Sequence, residues 1–392
     1  MNTVLCLALA LPAAAGLARV EVGPRLEIIR AVGPHGAGHR QAMAAWKDLS
    51  LASGQQLTEV LAGMDPAGEL AANWIRAAVE AIADRELHRG RSLPTAELEQ
   101  FLADTRHTPR ARRLAYELIA RVDATAEKRL IPALLNDPSV ELRRDAVALA
   151  LNEAESLASA NDRPGAVAAY RRAFAAARDL DQIQAASRRL RQLGENVDLP
   201  RHMGFILRWW LIGPFDNTAE KGFDTAYPPE REIRLDAQYE GKTGPVRWVE
   251  HVTGDDYGLV DLNAFFGRPR KPGSSVYEDS PETLRRCKGA VAYAYSEFLS
   301  AEAREVELRL GCISGNKVWL NGELVLSNQV YHAAMAVDQY VGRGRLEKGA
   351  NAILAKICQN EQPESWAQNW QFQLRVCDRI GTGILCAARE QP

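Results

Sequence analysis

The hydrophobic period of this chain changes once, and that change limits what it can fold into. Over residues 40–193 apolar side chains recur at three- and four-residue spacing, with almost no strand-like alternation. After Phe205 the period becomes two, punctuated by Gly and Pro. An α+β multidomain chain is expected, helical first and β second, with the boundary between Gly194 and Gly204. Six of the eight Trp lie beyond that boundary, so the two regions need different cores. A length of 392 residues suits two or three domains.

In the helical region, Asp65-Pro66, Thr108-Pro109 and Asp137-Pro138 each place a side-chain oxygen at an N-cap and a proline at the first helical position. Eight or nine helices are expected, the clearest at 67–82, 110–122, 125–135, 140–160 and 164–178. Leu114, Ile119, Leu134, Leu142 and Leu149 are read as core. In the β region, REVELRLG at 304–311 sends Val306, Leu308 and Leu310 to one face and Glu305, Glu307 and Arg309 to the other. Asn321-Gly322 between two apolar runs predicts a two-residue hairpin turn, because both positions need positive φ. Residues 289–298, 352–359 and 370–376 are read as further strands. With no crossover helices between them, an antiparallel sandwich is expected rather than a parallel sheet.

The run IPALLNDPSVELRRDAVALA at 131–150 resembles a HEAT repeat, with Asp137 and Arg143 six positions apart. The resemblance implies that the Asp caps the second helix and the Arg bonds one repeat to the next. Ala166, Tyr170 and Ala173 match the small-aromatic-small spacing of a tetratricopeptide second helix. The helical region, residues 19–200, is therefore expected to be an α-solenoid, HEAT-like at 109–151 and tetratricopeptide-like at 147–194, with a plain helical bundle as the alternative. AVAYAY, VELRLG, NKVWLNGELV and LEKGANAILAKI, in that order, resemble the galactose-binding-like jelly-roll sandwich, best known as the sugar-binding domain of family 2 glycoside hydrolases. That likeness covers residues 205–380, leaves 381–392 as a tail, and is hardly specific for any ligand. In calcium-dependent relatives, paired acids stand before the VWLNG strand. Here Cys312, Ile313 and Ser314 stand there, which argues against calcium. Asp255, Asp256, Asp261 and Asn263 form an acidic loop whose spacing departs from the EF-hand pattern.

The apolar run 4–12, followed by small residues, reads as a secretory signal ending by residue 18, with an apolar first helix as the alternative. An exported protein, periplasmic or extracellular, is expected, and no other segment has the roughly 18 apolar residues of a membrane span. Five cysteines remain beyond it, all in the second half, which permits two disulfides at most and favours buried thiols. A formal charge of -2 offers no global basic field, so no nucleic-acid partner is expected.

No HExxH, GxSxG, Walker or GxGxxG motif occurs and the seven His are scattered. No catalytic residue, cofactor or metal is expected. Cys312 with His332 is weighed as a nucleophile pair, and Tyr293 and Tyr295 as lyase-type bases; a buried thiol and core tyrosines are the preferred readings. The site read from the sequence is QNEQPESWAQNWQF, 359–372. Trp370 and Phe372 share a face with Leu374 and Val376 and belong to the core. Trp366, with Gln359, Asn360, Gln362 and Gln368, offers an indole face among amides, a mixture that suits carbohydrate. The expected function is a non-catalytic binding or scaffold protein, with a protein partner on the helical repeats and a glycan or cell-surface partner on the sandwich. The alternatives are a polysaccharide-active hydrolase or lyase, or an accessory subunit of one, and a purely structural scaffold.

Overall fold

The computed structural model describes residues 19–387. The expected signal segment and the last residues of the expected tail lie outside the described residues. The chain divides into two compact units at Asn152 and Glu153, inside one long helix.

The first unit holds α1 (Val22–Arg30), α2 (His39–Leu49), α3 (Leu57–Ala62), α4 (Glu69–His88), α5 (Thr95–Ala103), α6 (Pro109–Ala120), α7 (Ala126–Leu130) and most of α8 (Val140–Ser159). Their apolar stripes meet in one core containing Leu114, Ile119, Leu134 and Leu142, with Leu149 packed at its edge. The helix expected at 125–135 is instead α7 followed by a 3-10 turn, Ile131–Leu134, because Pro132 lacks the amide that would continue it. The expected caps are also corrected. Asp65 precedes no helix directly, α4 starting at Glu69, and its carboxylate instead accepts from His107 Nδ1 at 2.7 Å and Thr108 N at 2.7 Å. Thr108 stands at the N-cap of α6 with its hydroxyl buried and unbonded.

The Asp137 cap is corrected as well: α8 starts at Val140, Ser139 stands at its N-cap with its hydroxyl accepting from Leu142 N, and Asp137, 6% exposed, lies before it. Its carboxylate accepts from Ser139 N at 2.8 Å and takes both terminal nitrogens of Arg112, at 2.7 and 2.6 Å. Arg143 Nε donates to the Asp137 carbonyl at 2.8 Å, so it bonds within its own turn, and Arg112 on α6 reaches across from the preceding helix pair.

The second unit opens with α9 (Arg163–Ala176), α10 (Leu180–Gln192) and α11 (Leu199–Met203). Ala166, Tyr170 and Ala173 are buried along α9, and the Tyr170 hydroxyl donates to Glu155 at 2.5 Å. Helix gives way to strand between Met203 and Arg208, and the stretch 194–204 read as the boundary itself holds α11. The compact unit nevertheless begins earlier, because side chains that periodicity does not register tie these helices to the sandwich. Arg191 pairs with Asp256 at 2.6 Å, Arg178 Nε donates to Thr382 Oγ1 at 3.0 Å, and Arg375 donates to the Met203 carbonyl at 3.0 Å. The His202 ring lies 4.0 Å from that of Phe174, tilted by 31°. Burial, reinforced by the Arg178 charge, lowers its pKa to about 4. The unfolded chain gains a proton near the ordinary value of 6.5 that the folded chain refuses until about 4. Stability is therefore full above pH 6.5 and falls between 6.5 and 4, by on the order of 3 kcal/mol. Chemical denaturation across that range checks this, and His202→Phe, which keeps a ring against Phe174, is expected to flatten the dependence.

The strands are β1 (Arg208–Asp216), β2 (Gln238–Gly241), β3 (Gly244–Arg247), β4 (Val249–Val252), β5 (Val260–Asp261), β6 (Ala290–Ser300), β7 (Arg304–Cys312), β8 (Asn316–Leu320), β9 (Glu323–Asn328), β10 (Tyr340–Leu346), β11 (Gly349–Gln359) and β12 (Gln371–Cys377). They form a six-stranded sheet, β4-β1-β6-β11-β8-β9, a four-stranded sheet, β10-β7-β12-β5, and the hairpin β2-β3, all antiparallel. Asn321 and Gly322 turn with φ of 52° and 83°, as the hairpin requires. The sheets enclose a core of Val306, Leu308, Leu310, Trp370, Phe372, Leu374 and Val376.

At its centre the six-stranded sheet is buried on both faces. On β6, Ala290, Ala292 and Ala294 face the core between the sheets, while Val291 and Tyr293 face a second cluster with Phe215, Phe223 and Trp248. That cluster is covered by the segment following β1, which includes the short helix α12 (Pro228–Arg231). Lys356, 0% exposed, points into it and donates to the carbonyls of Phe223 and Thr225, at 3.0 and 2.8 Å, and to Glu230 at 2.8 Å. The Tyr293 hydroxyl also donates to Glu230. Two further short helices, α13 (Leu262–Phe265) and α14 (Pro281–Cys287), lie in the connection to β6. The described part of the expected tail, residues 381–387, packs on the sandwich: Ile384 is 9% exposed and Ala387 N donates to the Leu299 carbonyl. All five cysteines of the described residues are free thiols, Cys287, Cys312, Cys358 and Cys377 buried and Cys386 exposed.

Candidate functional site

The loop between β11 and β12 carries the residues singled out from the sequence. Trp366 sits in a 3-10 turn, Ser365–Ala367, and is 61% exposed. His332 meets it edge to face, with centroids 5.5 Å apart and planes at 87°. The His332 Nε2–H donates to Asn360 Oδ1 at 2.7 Å, which leaves Nδ1 buried as an unbonded acceptor. Burial holds the His332 pKa below its ordinary value, so the ring is neutral near pH 7. An indole braced on one edge keeps a face open to solvent without the rotamer freedom that a ligand would have to freeze.

The loop is held from beneath. Lys288 Nζ donates to the carbonyls of Gln362 and Ala367, each at 2.7 Å, and so ties its two sides together. Burial, with the Arg268 charge nearby, lowers the Lys288 pKa to about 8. Gln368 Nε2 donates to the carbonyls of Pro363 and Glu364, and Gln368 Oε1 accepts from Arg268 at 2.6 Å.

The five residues named from the sequence do converge on one loop, but they divide by role. Gln359 is fully buried, its amide bonded to Asn369 O, Asn360 N and Ser314 Oγ, so it is framework and not a ligand contact. Asn360, 5% exposed, is held by His332, Gln362 and Glu220. Gln368 is engaged at both ends. Gln362 accepts through Oε1 and keeps its Nε2 hydrogens free, and the exposed Glu364 carboxylate has no partner. The exposed groups are therefore the Trp366 face, the Gln362 amide N–H and the Glu364 carboxylate. Sequence reasoning missed His332 and Lys288, which lie some thirty and eighty positions upstream and carry no local motif.

No assembled catalytic group accompanies this loop. Cys312 is fully buried, its thiol pushed up to about 12 by burial and directed at the Ser314 carbonyl, while His332 is committed to Asn360, so the two form no nucleophile pair. Tyr293 is buried against Glu230, and burial raises its pKa far above that of a usable base. The acidic loop is internally occupied: Asp255 Oδ1 accepts from Tyr257 N and Leu259 N, Asp256 pairs with Arg191, and Asp261 accepts from Ala264 N and Tyr277. Asn263 donates to the Gln368 carbonyl. Among the described residues, no group of three or more His, Cys, Asp or Glu is placed to hold a metal ion.

No protein-family model matches the chain, and no curated protein is similar to it in sequence. Solved structures similar in part include a β-glucosidase from Kluyveromyces marxianus, with 14% identity over 43% of this chain and 16% of that one, at a TM-score of 0.24. A β-glycosidase from Bacteroides vulgatus shows 12% identity over 44% and 20% of the two chains, also at 0.24. An anti-sigma factor domain-containing protein from Clostridium clariflavum shows 11% identity over 47% and 49%, at 0.25. The aligned stretch thus spans less than half of each of these proteins, and likeness at this level assigns no ligand or activity to this chain.

Proposed function

We propose that this chain is an exported, non-catalytic binding protein whose sandwich docks a glycan through the Trp366 loop. Its helical repeats, in this reading, present a surface to a protein partner. The observation that carries the proposal is an indole that stays 61% exposed although its loop is pinned by Lys288, Gln368 and Arg268. An exposed indole loses favourable burial unless something covers it, and a pinned loop retains that exposure. The apolar face of a sugar ring covers an indole, and its hydroxyls match the free Gln362 amide and Glu364 carboxylate.

Isothermal titration of the full chain against plant and bacterial polysaccharides, first with calcium and then with chelator, tests this. The expected result is binding unchanged by chelator, with no reducing ends and no unsaturated uronates released. Chelator-sensitive binding would establish a metal site instead, and product release at enzyme-like rates would replace this reading with the hydrolase or lyase.

A further inference from the structure

The ring that braces the Trp366 indole is itself ionisable, and the fold around it suits only one of its two protonation states. His332 Nε2–H donates to Asn360 Oδ1 at 2.7 Å. The Asn360 amide is oriented by its other bonds, because Nδ2 donates to Gln362 Oε1 at 3.0 Å and to the Glu220 carboxylate at 3.3 Å, while Oδ1 also accepts from Gln362 N at 3.3 Å. The opposite ring nitrogen, His332 Nδ1, is buried and has no partner among the described residues. In the neutral imidazole Nδ1 is a lone pair, and leaving it bare forfeits one hydrogen bond. In the imidazolium it would be a charged N–H without an acceptor in a place closed to water, which is far more costly.

The groups around the ring do not supply that acceptor where it stands. Lys288, beneath the loop, opposes the imidazolium, while Glu220, from the segment after β1, and Glu364, from the loop between β11 and β12, favour it without bonding to the ring. Tyr331, the preceding residue, lies 6.4 Å away with its hydroxyl accepting from Asn217. Relief therefore requires the ring to turn. The chain beside it is anchored, since Ala333 N donates to the Ile313 carbonyl at 2.9 Å. His332 itself has φ of 57°, a left-handed conformation uncommon outside glycine, and such contacts hold it there. The side-chain torsions remain free to change, and any turn that brings Nδ1 out of burial ends the edge-to-face contact with Trp366.

We propose that His332 is a pH-operated brace: neutral, it holds the Trp366 indole in its binding geometry, and protonated, it swings away and releases it. The proposal rests on the reading of the Trp366 loop as the glycan site and adds the regulation of that site. His332 is a positioning residue, because it acts through the indole. The release occurs below pH 6.5, since burial of the ring disfavours its charged form. Lys288, Gln368 and Arg268 keep the loop itself in place, so the indole side chain alone is freed and affinity falls without unfolding.

The test uses the full chain labelled with 5-fluorotryptophan, without ligand, followed by fluorine NMR from pH 8 to 4.5. The Trp366 line is identified by its loss in Trp366→Phe, and the His332 ring proton is followed in parallel. The Trp366 line is expected to move in one reversible step that shares the His332 midpoint, below 6.5. That step should vanish in His332→Phe, which keeps a ring edge at the indole but cannot titrate, and in His332→Gln. A polysaccharide that binds at pH 7.5 should bind wild type about threefold to tenfold more weakly below the midpoint, the worth of one edge-to-face pair. His332→Phe should bind it nearly alike at both. A His332 that stays neutral down to pH 4.5, a Trp366 line that does not move with it, or a step that survives in both variants would overturn the proposal. So would an affinity that ignores the step. If no polysaccharide binds at any pH, the glycan reading fails, while the fluorine step alone still upholds or overturns the brace.

Discussion

Replacing Asp137 by Ala is expected to destabilise the helical unit by about 3 to 5 kcal/mol, the cost of leaving a buried charge without its partner. The Arg112 side chain is 1% exposed and that of Asp137 4%, and two charged hydrogen bonds join them. The Arg112 Nε bond to the Leu102 carbonyl, at 2.7 Å, would survive but could not neutralise the guanidinium. Urea unfolding followed by far-UV circular dichroism should show the helical transition moving to lower denaturant. The double variant Arg112→Met, Asp137→Leu should lose less than the single one, because it removes both charges together. A single variant within about 1 kcal/mol of wild type would show that the pair is solvated in solution.

A loss of similar size, about 3 to 5 kcal/mol, is expected for Lys356→Met in the second unit. Lys356 is a fully buried cation inside the aromatic cluster on the outer face of the six-stranded sheet, with its ammonium 5.8 and 5.7 Å from the Tyr227 and Tyr293 ring centroids. It bonds to residues 223, 225 and 230, so it fastens the covering segment to β11. Removing it strands the Glu230 carboxylate with only the Tyr293 hydroxyl. Thermal unfolding should fall, and tryptophan emission should shift red as Trp248 is uncovered. Adding Glu230→Gln should restore part of the loss. If Lys356→Met melts with wild type, the covering segment is held by its apolar contacts alone.

These two sites show where sequence reading stops. The Asp137 and Arg143 pair was visible because both lie in one run of twenty residues. Its stronger partner, Arg112, lies 25 positions upstream and looks like any helical arginine. Alternation on β6 was equally plain, yet it could not tell that both faces would be buried. That outcome depends on the segment after β1 folding back over the sheet. Period two likewise sent Glu307 outward, whereas it is 5% exposed, since Arg309 covers it on the polar face of the smaller sheet. Trp366 was legible because the amides and the indole lie within a few residues of each other.

The reading of the sandwich as a glycan-docking module stands on the open indole face, and one paired titration addresses it. A polysaccharide that binds the full chain is titrated into Trp366→Ala and Trp370→Ala, with thermal melts of each. Trp366→Ala is expected to weaken binding by about 1 to 2 kcal/mol with the melt unchanged, the scale of one aromatic contact and its area. Trp370, fully buried with its Nε1 on the Ile357 carbonyl, should instead lower stability by about 3 to 5 kcal/mol when cut to Ala. Wild-type affinity in a well-folded Trp366→Ala chain would contradict the proposal, because the ligand would then rest on some other surface.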